Sequence, residues 1–304
     1  MIGAGLMRIL VTGAAGFIGA NLCDKLRKIG HDPITFDISD DADITGDLAE
    51  IDWYNLQLGD LDGVVHLAAK TSVPESISNP EEYRITNVEG SRRLFEWCNR
   101  EGIPSVVFAS SAAVYGDSKS EKKTVGDEGE LGSPYAETKI LGEKLAKEYS
   151  SVYTKFVCLR FFNVYGPGQA MDSNYGAVIP SFIGRSLKSE DLEIFGDGNQ
   201  TRDFVHVQDV CGAIIGSLVS DTGNYAVINV GSGSGVSIRK LAETIVELAK
   251  KNGIPPSRLV YGENREGDIE HSIADIENLN HLIRIEQMIP FETGLEELFT
   301  KHIQ

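Results

Sequence analysis

R-I-L-V-T-G-A-A-G-F-I-G, residues 8–19, is the stretch on which the fold turns. It joins a short apolar run, a glycine-rich turn and a helical pattern that continues through Phe17, Leu22, Leu26 and Ile29. In such a strand–turn–helix unit Gly13 permits the tight turn. Gly16 lets the backbone approach a pyrophosphate, and Gly19 lets helix and strand pack closely. The helix N-terminus, carrying Phe17 and Ile18, then offers unpaired N–H groups to phosphate. The spacing is GxxGxxG rather than GxGxxG, and a glycine triplet alone also fits an ordinary turn. Asp37 adds context, because it closes a second strand-like run, PITFD at 33–37, 18 residues beyond Gly19. A carboxylate there accepts hydrogen bonds from an adenosine ribose and repels a 2′-phosphate. Residues 34–50 contain no arginine, so NAD is expected over NADP.

Outward from this unit the pattern repeats. GVVHLAA (63–69), SVVFASS (105–111) and KFVCLRFF (155–162) read as strands, and 80–100 and 135–150 as helices. Apolar strands alternating with helices predict an α/β fold of Rossmann type, a doubly wound parallel sheet covered on both faces. After Asn163 the pattern loosens into Gly, Pro, Asn and Asp. A helical run follows near 178–188, a strand and helix over 203–219, a strand at 227–233 and a helix over 238–251. The expected organisation is a NAD-binding domain over 7–162 and a smaller mixed α/β substrate domain over 163–304, with parts of 203–232 rejoining the first sheet.

Composition bounds the rest. The 304 residues carry 28 Lys+Arg against 45 Asp+Glu, a net charge of −17, which argues against nucleic acid as a partner. No apolar run approaches the ~20 residues of a membrane span, so no membrane partner is expected. The opening MIGAGLM lacks the basic-then-apolar pattern of a secretory leader. The four cysteines, at 23, 98, 158 and 211, form no CxxC pair and no metal-ligand spacing, which points to reduced structural thiols, a cytoplasmic protein and no metal.

The chemistry is carried by Y-A-E-T-K, where Tyr135 and Lys139 share one helix face. A free phenol titrates near 10. A neighbouring ammonium and an oxidised nicotinamide favour its phenolate, which can then take a proton from a sugar hydroxyl as hydride leaves the same carbon. S-S-A-A-V-Y-G, 110–116, ends a strand at the edge where doubly wound sheets bind ligands, and Ser111 is placed to hydrogen-bond the reacting oxygen. Taken singly, YxxxK is common on ordinary helices and a loop serine often satisfies its own backbone.

Together with GDL (46–48), HLAA (66–69), Asn87, RFFNVYG (160–166), GDGNQTRDF (196–204) and REGD (265–268), these motifs make the chain resemble the extended short-chain dehydrogenase/reductases from Met7 to about Asp275. Within them it is similar to nucleotide-sugar 4-epimerases of the UDP-glucose/UDP-N-acetylglucosamine type. The resemblance implies that Asp47 and Leu48 border the adenine, that Leu67, Ala68 and Ala69 line the dinucleotide, and that Asn87 lies near the nicotinamide. It implies further that Phe162 and Asn163 sit where cofactor and substrate meet, and that Arg202 and Arg265 hold a UDP-sugar diphosphate, for which arginine's charged fork is suited. A homodimer through the helices near 80–100 and 135–150 is also implied. His66 reads as a structural histidine.

Similar dehydratases carry Asp-Glu where this chain has Ala112 and Ala113, and related decarboxylases usually place a glutamate at the second position. Methyl groups do no acid or base work, so C4 epimerisation through a 4-keto sugar is the expected reaction. In the family a bulky tyrosine seven residues past the position of Arg265 restricts the pocket to unacetylated hexoses, so the resemblance implies that the small Ser272 leaves room for an N-acetyl group, and S-N-Y-G-A-V-I-P (173–180, with Val178) resembles epimerases of acetylated sugars. A UDP-uronate 4-epimerase, a nucleotide-sugar reductase or dehydrogenase with exchangeable cofactor, and a non-enzymatic dinucleotide sensor are the alternatives. Retention of Ser111, Tyr135 and Lys139 argues against the last.

Overall fold

A computed structural model describes residues 5–170, 177–264, 269–283 and 288–303. The strands run β1 (Arg8–Thr12), β2 (Asp32–Asp37), β3 (Ile44–Thr45), β4 (Gly63–His66), β5 (Ser105–Ser111), β6 (Lys122–Lys123), β7 (Lys155–Phe161), β8 (Asn163–Tyr165), β9 (Leu192–Phe195), β10 (Thr201–His206), β11 (Tyr225–Val230), β12 (Gly235–Ser237), β13 (Leu259–Gly262) and β14 (His271–Ala274). Seven of them form a parallel sheet in the order β3-β2-β1-β4-β5-β7-β11.

Why this sheet is two-sided can be read along each strand. Ile9 and Val11 of β1, Val107 and Ala109 of β5, and Val157 and Leu159 of β7 face one core, shared with Leu22 and Leu26 of the helix Phe17–Lys28 and with Val210 and Ile214 of the helix Val207–Val219. The alternate residues Leu10, Val106, Phe108 and Phe156 face a second core with Trp53, Leu94, Phe95 and Trp97. Period-two alternation with apolar residues at both phases is the signature of a strand buried on both faces. β1 pairs β2 on one side and β4 on the other, so the chain direction across the sheet reverses there, which opens a crevice beyond the strands' C-terminal ends.

A smaller mixed sheet runs β12-β10-β14-β6, with β8 also on β10. Its β10–β12 pair is antiparallel, while β10–β14, β10–β8 and β14–β6 are parallel. β9 and β13 pair separately. The two halves interleave: β11 adds to the large sheet, and β6, from the first half of the chain, adds to the small one. A third core, including Phe182, Ile183, Leu241, Ile245, Leu295 and Phe299, holds the C-terminal helices together. The segment 80–100 is helical, but residues Arg84–Gly90 take π-helical geometry, a feature that often accompanies functional sites.

Candidate active site

The glycine turn is built for a close approach. Gly13 has φ +72°, and a Cβ there would lie 2.6 Å from the Ala68 amide nitrogen. At Gly19 a Cβ would stand 2.1 Å from the Gly13 carbonyl oxygen, so any larger residue would push the helix off the strand. Gly16 N-caps Phe17–Lys28 without any side-chain cap. No serine or aspartate side chain caps the first-turn N–H groups, which leaves them available to an anion.

This turn opens into a cavity of about 950 Å³. Gly13, Gly16, Phe17, Ile18, Gly19, Asp37, Asp47, Leu48, Leu67, Ala68 and Ala69 line it from one end, and Phe162, Ser111, Tyr135 and Lys139 from the other. Asp37 Oδ2 accepts the Ala15 N–H at 2.9 Å and Oδ1 the Ser39 N–H at 3.2 Å, which holds the carboxylate at the rim. A glycine cradle that a Cβ would fill, an uncapped helix N-terminus and a carboxylate at the end of β2 fit a dinucleotide with a free ribose. Those residues would hold NAD.

At the other end the helix Pro134–Tyr149 begins at Ser133, whose Oγ accepts the Ala136 N–H at 3.2 Å, with proline in the first turn. That cap fixes Tyr135 and Lys139 over the end of β5. Ser111 acts on the Tyr135 hydroxyl, drawing its pKa down against the effect of burial, and Ser111 Oγ accepts the Ala113 N–H at 3.1 Å. Lys139 is buried, and its Nζ donates to the Ala109 carbonyl at 2.8 Å while standing 5.8 Å from the centre of the Tyr135 ring. The three side chains thus gather at one point. The electrostatics differ from the sequence expectation. Burial raises the Tyr135 phenol above its usual value, and burial also depresses Lys139 to about 8. Without a cofactor's positive ring the pocket favours the neutral phenol.

Asn87 does not line the cavity. It is 3% exposed, accepts the Lys70 N–H at 2.8 Å, and donates to the Lys70 carbonyl at 2.9 Å and to Thr138 Oγ1 at 3.1 Å. It therefore ties the cavity wall to the helix of Tyr135 and Lys139 from behind. Asn163, Val178, Arg202 and Ser272 are likewise not among the described residues lining the cavity: Asn163 is exposed and Val178 packs on the third core. Arg202 and Ser272 are register partners on β10 and β14, and Arg202 Nη1 donates to the Thr201 and Ile269 carbonyls at 2.9 and 2.6 Å. Arg265 and residues 173–176 lie outside the described residues. Sequence reasoning missed Lys70 and Glu82, which line the cavity and pair at 2.6 Å. Lys70 directly follows HLAA, a signal that could have found it. His66 is structural: its ring nitrogens meet Thr12 Oγ1 at 2.7 Å and Ser91 Oγ at 2.9 Å, and burial lowers its pKa to about 3.

Comparison with known proteins extends this geometry. The profile of the NAD dependent epimerase/dehydratase family matches residues 9–231. Among solved structures, the UDP-N-acetylglucosamine 4-epimerase of Methanobrevibacter ruminantium, in complex with UDP-N-acetylmuramic acid, superposes with a TM-score of 0.88 at 34% identity, covering 99% of each chain. The UDP-glucose 4-epimerase of Thermotoga maritima, with UDP-glucose, gives 0.87 at 30% identity, covering 98% of this chain and 100% of the other. The UDP-N-acetyl-alpha-D-glucosaminuronate decarboxylase of Bacillus cytotoxicus is 32% identical over 95% of this chain and 96% of its own.

Proposed function

The chain belongs to the NAD dependent epimerase/dehydratase family, and from that premise we propose that it is a nucleotide-sugar 4-epimerase acting on a UDP-hexose with NAD tightly held. The observation that carries this reading is the meeting of Ser111, Tyr135 and Lys139 at one end of the dinucleotide cavity, with methyl groups at Ala112 and Ala113. Bound NAD would supply the hydride acceptor, and return the hydride within the same turnover. The Tyr135 oxygen takes the proton of the 4-hydroxyl and later gives it back. Ser111 holds the reacting oxygen by a hydrogen bond, and the buried Lys139 charge favours the phenolate. The resemblance assigns Arg202 and Arg265 to anchoring the diphosphate while the 4-keto sugar turns over. A dehydration or a decarboxylation needs further acid or base groups beside the sugar, and alanines at 112 and 113 provide none.

Two finer readings accompany this. The small Ser272, at the position that the resemblance assigns to sugar selectivity and in register with Arg202, supports acceptance of UDP-N-acetylhexosamines as well as UDP-glucose and UDP-galactose. A homodimer would use the exposed Ile77 and Leu141, which lie on neighbouring helices. All four cysteines are buried and free, which suits a reducing cytoplasm. The decisive experiment incubates the purified chain, without added NAD, with UDP-Glc, UDP-GlcNAc and UDP-glucuronate, and reads the products by NMR. C4 epimers are expected from at least one neutral hexose. Turnover of none of them, or products only with added and consumed NAD(P)H, would sink the proposal.

A further inference from the structure

Behind the catalytic pair lies a buried ionic cluster that the cycle above does not use. Glu143 stands one helical turn beyond Lys139 and is 5% exposed. Arg160 on β7, 3% exposed, grips it with two N–H groups: Nε donates to Oε1 at 2.9 Å and Nη2 to Oε2 at 2.7 Å. Ser110 Oγ donates to the same Oε1 at 2.5 Å. Arg160 also donates to Glu128 and lies 4.9 Å over the Tyr115 ring. Desolvating such a pair costs several kcal/mol per ion, and apolar residues of similar volume often stabilise as well or better. Stability alone therefore does not account for it. What the cluster supplies is position and charge next to the reacting groups: Ser110 adjoins Ser111, and Glu143 sits on the helix that carries Tyr135 and Lys139.

We propose that Glu143 is a positioning residue, whose carboxylate, pinned by Arg160 and Ser110, fixes the end of β5 under Ser111 and keeps the buried Lys139 in its charged form. The kinetic consequence rests on the epimerase reading; the ionisation itself does not. Burial drives Lys139 toward neutrality, and Glu143 is the charge acting on it in the opposite sense. The other groups facing Lys139 are Tyr135 on its own helix, held neutral by burial, and His66 on β4, also neutral. Around Glu143 stand Arg160 and the Cys158 thiol of β7, with Tyr225 of β11, whose hydroxyl donates to the Glu143 carbonyl at 3.2 Å. None of these replaces the carboxylate's charge.

The test uses the full chain with 13C-labelled lysine, the Lys139 signal being assigned by its loss in Lys139→Met. In Glu143→Gln, which keeps the shape and an acceptor, the Lys139 midpoint should fall by about one pH unit or more. In Glu143→Asp, which keeps the charge, it should move back toward the native value. If the protein epimerises, the alkaline limb of its kcat profile should follow the same order, with KM nearly unchanged. Should Glu143→Gln not fold, Glu143→Gln/Arg160→Gln relieves the unpaired guanidinium, and its Lys139 midpoint is read against Arg160→Gln alone, so that the loss of the guanidinium's own charge is subtracted. A Lys139 midpoint in the neutral variant equal to the native one overturns the proposal. A shifted midpoint in a chain that turns over no UDP-sugar supports it, and overturns only the assigned activity.

Discussion

Replacing Gly19 by alanine tests the cofactor cradle at its tightest point. The added methyl would sit 2.1 Å from the Gly13 carbonyl oxygen, 2.8 Å from the Ala14 Cα and 2.9 Å from the Gly13 carbonyl carbon. All three are backbone atoms, so no flexible side chain can yield. To reach even 3.0 Å the helix or the turn must retreat by about 0.9 Å. Retreat of the helix drags Leu22 and Leu26, both fully buried, out of register with the first core. Overpacking of this kind costs about 1–3 kcal/mol. In a chain of this size that corresponds to a fall in Tm of roughly 1.5–5 °C. Retreat of the turn instead breaks the Gly16 N–H to Gly13 carbonyl bond, now 3.1 Å, and scatters the amides that would face a pyrophosphate. Either route should lower the NAD retained on purification, read by nucleotide release after acid denaturation, at least tenfold. Gly212→Ala is the matched control. Its methyl meets only Lys25 Nζ at 3.8 Å, inside a regular helix, where alanine adds about 0.5–1 kcal/mol. A Gly19→Ala protein with native NAD content and native Tm would refute the packing account of the cradle.

Tyr135→Phe should keep NAD and the fold yet lose about 10²–10⁴ in kcat, since the proposed general acid–base is gone; a variant that epimerises at the native rate would remove Tyr135 from the mechanism. Ser272→Tyr should depress turnover of UDP-GlcNAc more than tenfold while sparing UDP-Glc, and unchanged selectivity would dismiss the idea of a gate at this position. Stability should fall in acid because His66 is neutral when folded: its pKa is about 3 in the protein against 6.5 free, so the unfolded chain binds the extra proton. The contribution is complete above pH 6.5 and is lost as pH falls toward 3, worth at most roughly 4–5 kcal/mol. His66→Asn should flatten the dependence of Tm on pH between 6.5 and 4, and an undiminished slope would assign the acid sensitivity to other groups.

The parts of the site that are local in sequence were legible from it. The glycine turn, Asp37, Ser111 and the Tyr135–Lys139 pair each follow from a spacing within one strand end or one helical turn. What sequence could not supply was assembly across strands. Arg202 and Ser272 are neighbours only because β10 and β14 pair in parallel at that register. Arg160 reaches Glu143 only because β7 lies beside β5. The π-helical stretch at 84–90 breaks the 3.6-residue period without any glycine or proline to announce it before Gly90, and it carries Asn87 to a buried post behind Lys70. β6 is two lysines, which no pattern of apolar residues marks as a strand. Yet Lys123 is 2% exposed, with Nζ donating to the Ser118 and Ser120 carbonyls at 2.7 and 2.6 Å.

The burden of buried charge is distributed unevenly, and the unevenness bears on which reaction the fold can support. A chain of net charge −17 keeps most acids on its surface, but the cavity itself is lined by Asp37, Asp47, Glu50 and Glu82. Asp37 is occupied by the Ala15 and Ser39 amides, Asp47 by the Ala49 amide at 2.8 Å, and Glu82 by Lys70. Asp37 and Asp47 lie at the glycine-turn end, where they suit ribose hydroxyls and the adenine edge. At the tyrosine end the acid behind the wall is Glu143, and Arg160 binds both its oxygens. A carboxylate with both oxygens engaged, and which does not line the cavity, is not placed to protonate a leaving hydroxyl or collect a carbon-bound proton. On the proposed reading the phenol is the group that exchanges a proton with the sugar. One such group, used once forward and once in reverse on the same oxygen, suffices for inverting a carbinol carbon and falls short of expelling water from a hexose.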